Sequence, residues 1–137
     1  MKTDKIILLN AILFIALGIG FALYGPLMID AYGMLDFTDA DGGIYWFTAS
    51  FARLIGAALF GYGLLLWAIR DLPSSEALPA AKKRKVYLAL LLGNILGLFV
   101  AITQQWQVWI NLAGWVTTGL FAVFIIGYAY ALARTSN

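Results

Sequence analysis

The residues able to do chemistry fall into three small groups. One arginine, Arg53, sits inside a long apolar run over residues 44–70. Four aspartates, Asp30, Asp36, Asp39 and Asp41, precede that run, and the amides Gln104, Gln105 and Asn111 cluster between two later ones. A guanidinium at membrane depth is costly, so it must reach an interface, find a partner or serve a ligand. Arg53 follows Trp46 by seven positions, which places it about 10 Å along a helix from that ring. That depth matches Gln105 and Asn111. Three readings follow. Arg53 can snorkel to the headgroups. It can be a buried donor to Gln105, Asn111 or an aspartate such as Asp30 or Asp36. Or it can bind an anionic or carbonyl-bearing ligand, with Trp46, Trp106 and Trp115 as walls. The candidate ligand-binding set is therefore Arg53, Gln104, Gln105, Asn111, Asp30, Trp46 and Trp106.

Other chemistries are excluded by composition. The chain has no cysteine and no histidine. Disulfides, thiol catalysis, Cys- or His-ligated zinc and histidine-ligated haem are thereby removed, along with the usual proton shuttle near pH 7. The acidic segment over residues 36–43 invites a calcium reading, which fails on spacing. An EF-hand loop needs Asp two residues before Asp39, where Phe37 stands, and Glu where Thr48 stands. Asp39 or Asp41 is instead expected to cap the helix that follows. No metal, catalytic residue or cofactor is expected.

The elements that carry these groups are set by hydropathy. The chain has 137 residues, 63% hydrophobic and 12% charged, and a mean hydropathy of +0.87. Soluble chains are about half apolar and about a quarter charged. Four apolar runs, about 6–24, 44–69, 86–103 and 108–132, are each long enough to cross a hydrocarbon core of about 30 Å. Backbone groups must be satisfied within the bilayer, so helices are expected. The reading is an all-α polytopic membrane protein, one four-helix transmembrane domain over residues 1–137. Lys2, Lys5 and the first run also resemble a signal peptide, but about nineteen apolar residues exceed the usual 7–15. The first span is expected to be retained.

Charge sets orientation. Lys2 and Lys5 precede the first span, Arg70 and Lys82, Lys83, Arg84 and Lys85 lie between the second and third, and Arg134 follows the fourth. The positive-inside rule places both termini and the middle loop in the cytoplasm of a cell inner membrane. The lysine-rich run is read as a topology determinant and a contact for anionic headgroups. Tyr24, Tyr45, Trp46, Trp106 and Trp109 mark one aromatic belt; Trp67, Tyr87, Tyr128 and Tyr130 mark the other. Between the first two spans, Pro26 and Gly33 bracket a short interfacial turn or helix with Leu27, Met28, Met34 and Leu35.

Small residues predict which faces pack. Ala89, Gly93, Gly97 and Ala101 recur every four positions in the third span, with Asn94 beside them. Gly114 and Thr118 belong to a comparable face of the fourth, and Asn10 heads a face of Leu13, Phe14, Leu17 and Phe21 in the first. Close approach and interhelical hydrogen bonds of about 0.6 kcal/mol each are the expected use. The very short connection makes spans three and four antiparallel neighbours.

The stretch ARLIGAALFGYGLLLW over residues 52–67, followed by a charged loop and the GNxLG pattern at 93–97, resembles small bacterial four-helix membrane proteins, including the DoxX-like group. The resemblance implies a compact bundle in a bacterial inner membrane and supplies no reaction. The favoured function is a non-enzymatic accessory or assembly protein, or one that binds a lipophilic ligand. An oligomeric small-molecule transporter or channel is the alternative, and a membrane enzyme acting on lipid or quinone is the third. Expected partners are the lipid bilayer, a second copy or a membrane partner subunit, and a lipid or quinone-like ligand. Nucleic acid is not among them.

Overall fold

The computed structural model describes residues 3–33, 42–107 and 111–135. Within them run α1 (Thr3–Leu23), α2 (Gly25–Ala31), α3 (Gly42–Ile69), α4 (Ala80–Gln107) and α5 (Leu112–Thr135), with a 3-10 turn at Leu72–Ser74. All but α2 are long and apolar enough to cross a membrane. The proposed caps Asp39 and Asp41, together with Asp36, Met34, Leu35 and Trp109, lie outside the described residues. α4 begins six residues before the apolar run at 86, because the lysine-rich segment continues the helix. Lys82 and Lys83 donate their backbone N–H to the Pro79 carbonyl at 2.9 and 3.1 Å, and lysine and arginine are good helix formers.

Polarity is distributed opposite to that of a soluble bundle. Asn10, Asn94, Gln105 and Thr118 are buried, while Leu54, Phe51, Leu92, Phe99 and Ile126 are exposed. In water that surface would carry a penalty of about 25 cal/mol per Å²; against hydrocarbon it carries none. The arrangement is consistent with a polytopic membrane fold.

Two helix pairs make the bundle. α1 packs along α3, α4 packs along α5, and the pairs meet mainly where α1 touches α5. Glycine makes the first pair close. A Cβ at Gly56 would collide with the backbone of Phe21 and Ala22, one at Gly18 with the backbone of Phe60, and one at Gly63 would lie 2.7 Å from the Ile15 nitrogen. In the second pair the Phe121 ring sits directly on Gly97, and Ala101, Asn94, Gly114 and Thr118 are buried. The expected four-residue stripe divides there: Ala89 and Gly93 are exposed, because the stripe winds around the helix and only its upper part meets α5.

The seam between the pairs is laid down by α1. Ile6 packs over Gly127, the Asn10 amide Nδ2 donates to the Tyr128 hydroxyl at 2.9 Å, and Phe14, which meets Tyr62 of its own pair edge-on at 5.1 Å, reaches Phe121 of the other at 6.3 Å. The Oδ1 atoms of Asn10 and Asn94 are buried without a hydrogen-bond partner among the described residues. Consecutive helices α3 and α4 barely touch. Their separation leaves a gap in the bundle wall.

α2 lies across one end. It buries Ile29 and is followed by the buried Tyr32, and the turn then requires Gly33 at φ +62°. Leu27, one of the apolar residues expected to anchor this segment, is exposed.

Candidate functional site: a lipophilic cleft

The gap between α3 and α4 opens into an apolar cleft of about 550 Å³. α1 supplies its back wall with Phe14, Leu17 and Phe21, and the end of α2 closes it with Ile29 and Tyr32. Thr48 through Leu59 of α3 and Gly93 through Ala101 of α4 form the two sides, and Thr117 and Phe121 of α5 complete it. At helical rise those sides are about 12–16 Å long. Small residues keep the space open: Ala52 on one side, and Gly93, Gly97 and Ala101 on the other. A side chain larger than these would fill it.

Polarity is confined to the end near α2. There the Tyr32 and Thr117 hydroxyls are 2.7 Å apart. The Thr117 hydroxyl also lies 2.9 Å from the Ala113 carbonyl, to which it donates, so the hydroxyl pair is anchored to α5. Thr48 likewise donates to the Ile44 carbonyl at 2.9 Å. The remaining lining is hydrocarbon and aromatic. Such a wall can hold an apolar chain by close contact, with a polar head directed toward the hydroxyl end. Among its described lining residues there is no acidic, basic or thiol side chain.

None of the seven residues singled out from the sequence lines this cleft. Arg53 is exposed; its aliphatic stem covers Gly25, where an added Cβ would lie 3.4 Å from the arginine Cγ. Among the described residues it has no ion pair or hydrogen bond, so no tie to Gln105, Asn111 or Asp30 forms. Asn111 serves structure twice: its Nδ2 donates to the Ala31 carbonyl at 2.9 Å, and its Oδ1 accepts the Gly114 N–H at 3.0 Å, capping α5 and fastening α2 to it. Gln105 is buried, and its Oε1 has no hydrogen-bond partner among the described residues; Gln104 is half-buried. Asp30, Trp46, Trp106 and Trp115 are exposed. Among the described residues no three acidic, histidine or cysteine side chains gather as a metal site.

Arg70, by contrast, pairs with Asp71 at 3.3 Å and lies over the Trp67 ring at 5.2 Å. Exposed pairs of this kind contribute about 0–1 kcal/mol. Arg53→Ala and Arg70→Ala are therefore both expected to shift the melting temperature in detergent by no more than a few degrees. A much larger drop for Arg53→Ala would mean that its guanidinium has a partner in the folded protein.

Sequence reasoning identified the α1 face of Phe14, Leu17 and Phe21 but not the cleft it backs. Tyr32, Thr117 and Phe121 were not singled out. A signal existed for the first: Tyr32 adjoins Gly33, the residue that ends the short segment, and an amphipathic ring there favours a closing position.

No family model matches the chain, and it has no match among curated proteins or solved structures.

Proposed function

We propose that this protein is a non-enzymatic, multi-pass membrane protein that binds a lipophilic molecule in the cleft between α3 and α4. The observation that carries the reading is the cleft itself: about 550 Å³, nearly all apolar in its lining, and open on the side where two apolar helices part. Small-molecule sites are typically about 300–1,000 Å³ with a few placed polar groups. A partner helix 10–12 Å across would fill the same volume with about one turn, so a slender ligand suits it better than a helix. A lipid chain or a quinone-like molecule has the required shape, and its polar end belongs beside Tyr32, Thr48 and Thr117. The exposed aliphatic faces are covered by the bilayer. By the positive-inside rule we read the opposite end of the bundle, which carries Lys5, residues 82–85 and Arg134, as its cytoplasmic end, with both termini, in a cell inner membrane.

Native mass spectrometry of the full chain, extracted in mild detergent, tests this directly. One lipophile per chain should survive into the gas phase. Recovery of the bare chain alone, at every collision energy that preserves its fold, would sink the proposal.

A further inference from the structure

A second pocket, of about 260 Å³, lies at the opposite, basic end of the bundle. α4 contributes Lys83 and Tyr87, α5 contributes Tyr130, Arg134 and Thr135, and Ile6, Pro73 and Ala131 complete it. Its character is unlike that of the cleft. Two cations from two different helices line one small space, and among the described residues no carboxylate does. Among the described residues neither Lys83 nor Arg134 has an ion pair. Arg134 is already oriented, because its guanidinium lies over the Tyr130 ring at 4.8 Å, a geometry in which cation and ring attract. Pro73, buried in the 3-10 turn, fixes the wall between α3 and α4.

We propose that this pocket binds the phosphate group of an anionic headgroup, with Lys83 and Arg134 as its two charge partners. Guanidinium and ammonium groups both make short, charge-assisted bonds to phosphate oxygens, the arginine in fork geometry. The size favours a headgroup over a bare ion. At about 30 Å³ per water the pocket equals roughly eight or nine waters, more than one phosphate fills, so the alcohol attached to a phosphodiester also fits. This site stands apart from the cleft and does not depend on what the cleft holds.

The test uses the full chain in nanodiscs and in mild detergent. Binding is read by native mass spectrometry with phosphatidylglycerol against phosphatidylcholine, and by thermal shift with inorganic phosphate. Phosphatidylglycerol should be retained at least fivefold over phosphatidylcholine, and Lys83→Gln with Arg134→Gln should abolish that preference. Lys82→Gln with Lys85→Gln removes the same charge from exposed positions on the same helix and should leave the preference intact. Displacement of the lipid by millimolar phosphate would assign the site to a free phosphate as well as a headgroup. An equal loss in both double variants would show that only net charge matters, and would overturn the site. So would the absence of any preference with no phosphate shift. Circular dichroism of each variant separates a lost site from a lost fold.

Discussion

Gly93→Phe is expected to reduce the retained lipophile at least tenfold while the helices stay intact. Gly93 is exposed and lines the cleft on the α4 side. A Cβ added there meets only the Tyr62 hydroxyl, at 4.0 Å, so the backbone need not move. The ring must then occupy the space that the ligand would use. Within a bilayer the competing solvent is itself hydrocarbon, and binding rests on packing more than on water exclusion. Replacing those contacts is enough for a tenfold loss, which is about 1.4 kcal/mol. Gly61→Phe is the control, since nothing lies within 4 Å of a Cβ at Gly61 and Gly61 does not line the cleft. If both variants retain the molecule equally, its site is elsewhere.

Gly56→Leu should be the most damaging single change in the bundle. Its Cβ would fall on the backbone of α1, at Phe21 and Ala22, and backbone cannot rotate away as a side chain does. Even Gly56→Ala is expected to cost about 2–3 kcal/mol, toward the upper part of the range for overpacking; the leucine should separate α1 from α3. Gly97→Ala makes a useful comparison. Its obstruction is the Phe121 ring, which can tilt into the adjoining cleft, so the loss should be smaller. A Cβ added at the exposed Gly119 meets nothing within 4 Å, and Gly119→Leu should be neutral within about 0.5 kcal/mol. Thermal unfolding in one detergent ranks all four. A Gly56→Leu protein that melts with the unsubstituted chain would show that α1 and α3 do not pack as described.

The contrast between these glycines shows how far residue spacing reaches. Four-residue periodicity in α4 singled out Gly97 and Ala101, which pack, and equally Ala89 and Gly93, which are exposed. The tighter approach, through Gly18 of α1 and Gly56 and Gly63 of α3, is not among the faces that residue spacing singled out. A small residue permits a close neighbour but does not say whether one is present. Asn111 shows the same limit from the polar side. Its amide looked available for a ligand, yet both ends of it are used to cap α5 and hold α2.

What the sequence determined by itself is what depends on each segment and its solvent. Four runs long enough for a bilayer become helices because their backbone bonds close within each segment, and the basic residues at 82–85 extend one of those helices. Arg53 was recognisable as the one cation inside an apolar run by the same local reasoning. Tertiary structure decided everything that depends on a second helix. It paired α1 with α3 and α4 with α5, parted α3 from α4 to leave the cleft, and turned Arg53 outward over Gly25 while Tyr32 and Thr117 closed the cleft at one end. Those outcomes depend on the rotation and separation of helices about one another. Many side chains on different segments set them jointly, and no single segment's pattern contains them.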